Sequence, residues 1–356
     1  MKKLLSALLA CMLVLGMASA ENEKPRNPVI PGESPVTGLP LAEDRYMPML
    51  IEVGHACDTV KVGNKKIKAA GVGKRAPWGA QHADMVYESI LWGSGETRMT
   101  FLLNDCFANQ GEINVGPVRS VRMGAALLCQ EWQGGLVFTG GANREGYDLY
   151  GTLSQMGAWD RGLVFSLHKN AKAREHMYRV KDIKAPDNLN ADVRALRASI
   201  PAETVAVPHP FLFFDQNPYA SGYEMGELVE LKWGKPQYDC SFVYDEASGL
   251  YQRYCGKAPY LSFESAENRA PEAQIPLRFS NVIVQYVRYE YALANNLLPL
   301  MQCVGGGSAD CYIGGRLIKG SWERKAAEEP TVFLDDKGNE IQLARGKTYI
   351  AQFPQP

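Results

Sequence analysis

The first part of the chain alternates short apolar runs with polar segments. Three runs have the length and the apolar content of strands, at residues 47–53, 85–90 and 98–103. Ser120 is the predicted N-cap of a helix that continues to about Trp132, where Gly134 and Gly135 end it. A short buried strand at residues 136–138 follows, and a further helix is predicted at residues 144–149. Mixed strands and helices predict an α/β domain over residues 41–217.

Beyond residue 217 the pattern changes to short strands separated by Gly, Asn and Asp. The strands are predicted at residues 227–233, 241–244, 250–254, 281–289, 297–304, 312–319, 331–334 and 347–352. This pattern is typical of antiparallel sheets, so residues 218–356 are predicted to form a mainly antiparallel β domain. The predicted fold class is therefore α+β, with a mixed α/β N-terminal domain followed by this β-rich C-terminal domain.

The N-terminus has the layout of a secretory signal. Two lysines precede an apolar run, and Ala18-Ser19-Ala20 forms a small-residue cleavage site. The run is shorter than the roughly 20 apolar residues of a spanning helix. We therefore expect residues 1–20 to be removed and the protein to be secreted or associated with the cell envelope. A lipid anchor at Cys11 is disfavoured, because cleavage there would fall within the apolar run. Residues 21–40 are rich in proline and charge, which predicts a solvated tether or an extended arm.

The formal net charge of −1 argues against a general binder of nucleic acid or anionic membrane. Any anion site must therefore be local. The sequence contains no C-x-x-C or H-x-x-x-H spacing, so no zinc site is predicted. No motif indicates a cofactor, and no later segment is apolar enough to span a membrane.

In an exported protein, cysteines at hairpin spacing are best interpreted as disulfide partners. Cys240 and Cys255 flank two runs joined by a turn, so they are predicted to pair across a ribbon. Cys303 and Cys311 bracket a glycine-rich segment, Gly305-Gly306-Gly307-Ser308, and are predicted to pair in the same manner. The three other cysteines are Cys57, Cys106 and Cys129. Cys129 falls in a helical apolar pattern and is predicted to be a buried free thiol, which leaves Cys57 with Cys106 as the remaining pair.

Two arginines at a helix start are the strongest chemical signal. Arg119 and Arg122 lie where the helix macrodipole disfavours cations by roughly 0.3–1 kcal/mol each. One interpretation is an external anion, held by the guanidinium groups and by free backbone N–H groups. The other is an internal ion pair with Asp84, Glu88 or Glu96, the commoner fate of arginines in proteins.

A diglycine loop follows the buried strand at residues 136–138. Gly140 and Gly141 would let a ligand approach the backbone, and Asn143 follows them. A tight turn explains the same residues without a ligand, because neither a Walker lysine nor a G-x-G-x-x-G string is present. The ligand hypothesis combines this loop with the nearby arginines and a hydroxyl, at Arg98, Arg119, Ser120, Arg122, Gly140, Gly141 and Asn143.

A series of motifs resembles the YerB-like lipoproteins, a bacterial envelope family whose N-terminal and C-terminal domains have no assigned function. In the first domain the resemblance rests on Pro35-Val-Thr-Gly-Leu-Pro40, Ala83-Asp-Met-Val-Tyr-Glu88, Glu96-Thr-Arg98, Gly116-Pro-Val-Arg-Ser-Val-Arg122 and Thr139-Gly-Gly141. In the second it rests on Tyr244-Asp-Glu-Ala-Ser-Gly-Leu-Tyr251, Asn281-Val-Ile-Val284, Gly320-Ser-Trp322, Pro330-Thr331 and Gly346-Lys-Thr348. The resemblance covers nearly the whole chain after residue 20 and implies the envelope location and the two-domain layout.

Two positions depart from that family's pattern. The chain reads Ala20-Glu21 where relatives typically have a lipobox cysteine at the end of the signal. It also reads Asp187 where relatives usually have a histidine, in the segment Ala-Pro-His-Asn-Leu. A chemical role of that histidine would either be lost here or fall to a carboxylate.

Catalysis has little support in the sequence, which has no G-x-S-x-G elbow and no histidine in a triad context. Paired-carboxylate hydrolysis stays open, with Glu88, Glu96 and Asp187 as candidates. Three hypotheses result: a binding protein for an anionic or polar ligand, such as a cell-wall component, or for an envelope partner; a cell-wall glycan hydrolase or transferase; and a scaffold without a small-molecule site.

Overall fold

The structure is a computed structural model that describes residues 25–42, 45–56, 58–62, 65–69, 76–292 and 298–356. The predicted signal peptide, with Cys11, and also Cys57 lie outside the described residues. The helices in the described ranges are α1 (Met123–Trp132), α2 (Leu149–Gln155), α3 (Ala171–His176) and α4 (Val193–Ala198). The strands are β1 (Met49–Val53), β2 (Asp58–Val62), β3 (Lys65–Ala69), β4 (Met85–Trp92), β5 (Glu96–Leu103), β6 (Asn114–Val115), β7 (Gly135–Phe138), β8 (Asn143–Arg144), β9 (Tyr147–Asp148), β10 (Val164–Ser166), β11 (Met177–Arg179), β12 (Leu189–Asp192), β13 (Glu224–Met225), β14 (Leu228–Leu231), β15 (Cys240–Asp245), β16 (Leu250–Cys255), β17 (Ala258–Pro259), β18 (Leu261–Phe263), β19 (Gln274–Pro276), β20 (Arg278–Phe279), β21 (Asn281–Tyr291), β22 (Pro299–Gln302), β23 (Gly305–Ile313), β24 (Arg316–Arg324), β25 (Val332–Asp335) and β26 (Thr348–Pro354).

A 12-stranded sheet runs through both parts of the chain, in the order β10-β7-β1-β5-β4-β26-β21-β23-β24-β13, with β22 beside β21 and β25 beside β24. The last strand joins the two parts, because β26 pairs in parallel with β4 on one side and with β21 on the other. A five-stranded sheet of β14, β15, β16, β17 and β20 comes from the second part. The hydrophobic core includes residues from both parts of the chain.

Strands account for 40% of the structure and helices for 12%, so the N-terminal part is more β-rich than the predicted mixed α/β domain. The predicted helix at residues 144–149 is instead the short hairpin β8–β9, and α2 begins only at Leu149. The long predicted helix is present as α1, although its N-cap is Arg122 rather than Ser120. Residues 312–319 were predicted as one strand, but Gly314 and Gly315 have positive φ and form the turn between β23 and β24.

Part of the proline-rich segment packs against the fold. Val36 is fully buried, and the hydroxyls of Ser34 and Thr37 donate to Asp105 at 2.7 Å and 2.6 Å. The interpretation as a solvated tether therefore does not hold at these positions.

The predicted disulfide between Cys240 and Cys255 is wrong. Cys240 is a buried free thiol beside Trp233 and Tyr349, and burial raises its pKa to about 12. Its thiol thus lies within the core among aromatic side chains.

The predicted disulfide between Cys303 and Cys311 is also wrong, since both are buried free thiols. The glycines between them belong to the continuous strand β23 rather than to a hairpin tip. Residue 305, where β23 begins, is six steps of extended strand from Cys311, about 20 Å. Cys303 lies only two residues before residue 305, so it is too far from Cys311 for a disulfide. Cys106 is free as well, which excludes the remaining pair with Cys57, and Cys129 is the buried free thiol that was predicted.

Candidate functional site

Strands β1 and β5 bring a carboxylate and an arginine to one face of the large sheet. Glu52 lies opposite Thr100, whose hydroxyl donates to Glu52 Oε1 at 2.5 Å. Arg98 lies two residues before Thr100, and alternate residues of a strand share a face. Burial raises the pKa of Glu52 to about 7, although Thr100, Arg98 and Arg122 act in the opposite direction.

The Arg98 guanidinium is the least satisfied charged group of this face. The residue is only 7% exposed, and its Nε and Nη1 have no hydrogen-bond partner among the residues that the structure describes. Burial lowers the pKa of Arg98 to about 10; Glu52 opposes this, while Arg119 and Arg122 add to it. A buried N–H group without a partner costs about 1–3 kcal/mol, so an acceptor at this position would be strongly favoured.

Arg122 stands at the N-terminus of α1, as the sequence predicts. Its guanidinium lies 4.5 Å from the centre of the Trp92 ring, and its Nε and Nη1 donate to the carbonyls of Leu91 and Val121 at 3.3 Å and 3.0 Å. These contacts fix the side chain without neutralising its charge.

Arg119 forms an ion pair with Asp187, so the internal-pair interpretation holds for this arginine with a different partner from those predicted. The backbone of Arg119 is held on both sides, because its N–H donates to Glu52 O and its carbonyl accepts from Thr139 N. Its side chain crosses Gly54, where a Cβ atom would lie 2.6 Å from Arg119 Cγ. The ion pair is partly accessible, with side-chain exposures of 26% for Arg119 and 16% for Asp187.

Close packing explains why residues 140 and 141 of the diglycine loop are glycines. A Cβ atom on Gly141 would lie 2.0 Å from Leu149 Cδ2, and one on Gly140 would lie 2.9 Å from His168 Cδ2. The Gly141 N–H donates to Tyr150 OH at 3.0 Å, and the Gly140 carbonyl accepts from Val121 N. The amide of Gly141 is therefore already engaged, and the loop acts as a wall beside the arginines.

Ser120 is the hydroxyl residue of the predicted set, and its side chain lies beside that of Thr139. The oxygens of Ser120 and Thr139 are 3.3 Å apart, and both residues are half-buried. Asn143 lies apart from them, exposed on β8 opposite Asp148.

The charges of this arginine cluster (Arg98, Arg119 and Arg122) do not balance. Three guanidinium groups face two carboxyl groups, Glu52 and Asp187. With a pKa of about 7, Glu52 carries only part of a negative charge at neutral pH. The cluster therefore has a net positive charge of at least one, in a region where burial reduces screening by solvent.

The three carboxylates predicted for catalysis do not form one site. Glu88 lies on β4 and contacts Thr97, on the face opposite to Glu96 and Arg98. Glu96 accepts from Lys235 Nζ at 2.6 Å and from Ser94 Oγ at 2.7 Å. Asp187 is paired with Arg119.

A buried polar network surrounds Glu88, and no sequence pattern indicated it. Glu88 Oε1 accepts from Thr97 Oγ1 at 2.5 Å, and Glu88 Oε2 accepts from Arg253 Nη2 at 2.9 Å and from the Tyr349 hydroxyl. The Nε2 atom of His55 lies 3.4 Å from Glu88 Oε1. Burial by itself would raise the pKa of Glu88, but these partners outweigh it and the pKa is lowered. Glu88 is therefore a structural anion and is unsuited to act as an acid.

Among the described residues, no helix is long and apolar enough to cross a bilayer. Over the same ranges, no group of three or more His, Cys, Asp or Glu side chains is arranged to hold a metal ion.

Family models match two segments of the chain. Residues 54–206 match "Protein of unknown function (DUF3048) N-terminal domain", and residues 229–350 match "Protein of unknown function (DUF3048) C-terminal domain". The crystal structure of YerB protein from Bacillus subtilis matches with a TM-score of 0.66 at 18% sequence identity, and the match covers 91% of this chain and 97% of that one. At this identity the match establishes a shared fold. No curated protein matches the chain significantly.

Proposed function

The chain belongs to the DUF3048 family, whose two domains have no assigned function, and from that premise we propose that it is an exported cell-envelope protein that binds a small anionic ligand at the arginine cluster. The signal-like pattern of residues 1–20 supports export. The orphaned guanidinium of Arg98 carries the binding proposal, since two of its nitrogen atoms are buried without a partner beside two further arginines.

The ligand is expected to be a phosphate, a sulfate or a carboxylate. Each offers several acceptor oxygens, which suits guanidinium groups that approach from different elements. The arginine on β5 is buried, whereas Arg119 is partly exposed, so the ligand would enter beside Arg119 and extend towards Arg98. The Ser120 and Thr139 hydroxyls would donate to the same anion.

The hydrolase hypothesis has no comparable support, because the candidate carboxylates are separated and Glu88 has a lowered pKa. The scaffold hypothesis remains the alternative that the experiment must exclude, since Arg119 does have an internal partner.

Calorimetric titration of the purified protein with sulfate, inorganic phosphate and citrate tests the proposal. We expect saturable binding of at least one anion, and at least a tenfold loss of affinity in Arg98→Met, because hydrogen bonds to charged groups contribute about 1.5–3 kcal/mol. The matched control is Arg288→Met, which removes an exposed arginine on β21 and should leave binding unchanged. Absence of binding would support the scaffold hypothesis instead, and equal binding by both variants would show that the anion binds away from Arg98.

A further inference from the structure

A cavity of about 260 Å³ is lined by Arg26, His209, Glu323, Lys325, Glu329, Pro330 and Val332. It shares no lining residue with the arginine cluster. We infer that this cavity binds a small zwitterion of the amino-acid type, through His209 and the charged groups around it.

His209 is the residue of the cavity whose side-chain hydrogen-bonding groups are unsatisfied. Both ring nitrogens are enclosed, and neither has a hydrogen-bond partner among the residues that the structure describes. A neutral imidazole presents one donor and one acceptor. Burial lowers the pKa of His209, against the opposing effect of Glu131 and Glu329, and so favours this neutral form. A ligand group that reaches either nitrogen, as an acceptor or as a donor, would satisfy it.

The segment that carries His209 is fixed in place. Pro208 and Pro210 flank the histidine and restrict the backbone. On one side the Val207 N–H donates to Gln133 Oε1 at 3.3 Å, and on the other the Phe211 N–H donates to Pro35 O at 3.2 Å. The backbone that carries His209 is therefore fixed beside the cavity.

A buried ion pair holds the part of the lining that follows β24. Arg324 Nη1 donates to Glu131 Oε2 at 3.0 Å, and Glu131 Oε1 accepts from Thr331 N at 2.7 Å. Arg324 also donates to the carbonyl of Ala327. These bonds fix the connection between β24 and β25, which contributes Lys325, Glu329 and Pro330 to the lining. A preformed site of this kind loses little entropy when a ligand binds.

Charges of both signs line the cavity. Lys325 Nζ lies 4.0 Å from Glu323 Oε1, at the outer limit of an ion pair, so its charge is largely available. Glu329 is exposed, and its charge acts on His209. Arg26 is already paired with Glu340 at 3.0 Å. A carboxylate beside Lys325 and an ammonium beside Glu329 would complement both signs, whereas a simple anion or cation would meet repulsion from one of them.

The volume limits the ligand to a small molecule. Water occupies about 30 Å³ in the liquid, so the cavity holds a ligand of roughly eight or nine water-sized groups. A free amino acid or a dipeptide of small residues is of this size. Both kinds of molecule carry an ammonium and a carboxylate on a short backbone. The experiment below distinguishes free amino acids from dipeptides.

Proton–carbon NMR of the histidine rings in the purified protein provides the test. The chain has five histidines, so the spectrum of His209→Gln identifies the His209 signal. The probes are alanine, glutamate, lysine and the dipeptide alanyl-alanine, with N-acetylalanine methylamide as a probe that lacks both charges. We expect a saturable shift of the His209 signal with at least one zwitterion and none with the capped probe. A tighter response to alanyl-alanine identifies peptides as the source, and a tighter response to a single amino acid identifies free amino acids.

Variants separate a binding role from a structural one. Glu329→Gln should weaken zwitterion binding about two- to fivefold, because it removes one charged partner that is exposed to solvent. Glu328→Gln changes the neighbouring residue, which does not line the cavity, and should bind normally. The proposal is overturned if no zwitterion shifts the His209 signal at millimolar concentration, or if the two glutamate variants bind alike. Neither result depends on the arginine cluster.

Discussion

Glu88 and Arg253 form a fully buried ion pair, Oε2 to Nη2 at 2.9 Å, between residues that are 165 positions apart in the chain. Glu88 lies in the segment matched by the N-terminal family model, and Arg253 lies in the segment matched by the C-terminal one. Tyr349 on β26 donates to the same carboxylate oxygen. This network therefore joins the two matched segments at the face of the sheet opposite to the arginine cluster.

Removal of one partner of this pair should destabilise the protein strongly. We expect Arg253→Met to lower the free energy of unfolding by about 3–5 kcal/mol, because Glu88 would be left as a buried charge without its guanidinium. Denaturant unfolding followed by circular dichroism measures the change. Lys319→Met, which breaks an exposed pair with Glu224, should change the free energy by less than about 1 kcal/mol. Equal effects of the two variants would mean that the buried pair does not hold the segments together.

Arg98 should behave in the opposite way, although it is almost as buried. At pH 6 most Glu52 is protonated, since its pKa is about 7, so Arg98→Met removes an unsatisfied charge without leaving another behind. We expect the free energy of unfolding to stay within about 1 kcal/mol of the original value or to rise. Arg324→Met is the matched comparison, because Arg324 is fully buried and paired with Glu131, and it should lose about 3–5 kcal/mol. A similar large loss in Arg98→Met would show that Arg98 has an essential structural role.

The sequence predicted one part of the site and could not predict the other. Arg119 and Arg122 were found because the sequence predicts a helix start there, where a cation needs an explanation; in the structure only Arg122 stands at the start of α1. Glu52 was missed, although a glutamate within the apolar run Met-Leu-Ile-Glu-Val is a usable signal for a buried carboxylate. The Glu88–Arg253 pair could not have been found, because no local pattern reports a contact between strands that the chain topology brings together.

The failed prediction of a disulfide between Cys303 and Cys311 has a specific cause. The glycines between Cys303 and Cys311 resemble a turn, but they lie in β23. A Cβ atom on Gly307 would be 2.6 Å from Trp322 Nε1, so this glycine makes room for a tryptophan on the neighbouring strand. Glycine that allows close packing and glycine that allows a turn look the same in a single sequence.

Glu52 should make stability depend on pH near neutrality. Its pKa in the folded state, about 7, is above the usual value of 4.5, so the folded state binds more protons than the unfolded state between these values. Stability therefore falls as pH rises from about 4.5 to about 7, by up to roughly 3 kcal/mol for this group. Glu52→Gln should remove that part of the loss, so that the variant is more stable than the original protein at pH 8 and similar to it at pH 4.5. Burial also raises the pKa of Asp84 to about 7. Asp84 should therefore keep the remaining pH dependence of stability in both proteins. Unfolding curves across this pH range would contradict the assignment if the two slopes were equal.

Protonation of Glu52 should also strengthen anion binding. Sulfate is the suitable probe, because its charge is constant between pH 6 and pH 8. We expect the affinity for sulfate to rise several-fold as pH falls over this range, since the negative charge beside Arg98 is removed. Glu52→Gln should bind tightly at both pH values. Calorimetry that shows a flat profile in the original protein would exclude Glu52 as the controlling group.

Asp187 should compete with the ligand for Arg119. The Asp187 carboxylate is paired with the Arg119 guanidinium in this structure, and both side chains are partly accessible. An incoming anion must therefore displace the carboxylate from Arg119. We expect Asp187→Asn to raise the affinity for sulfate about two- to fivefold, which corresponds to the roughly 0.5–1 kcal/mol of a partly exposed ion pair. Asp182→Asn in the same loop is the matched control, because Asp182 is exposed, and it should leave the affinity unchanged. Weaker binding in Asp187→Asn would show that the carboxylate positions Arg119 for the ligand, and that the internal pair is part of the binding site rather than its competitor.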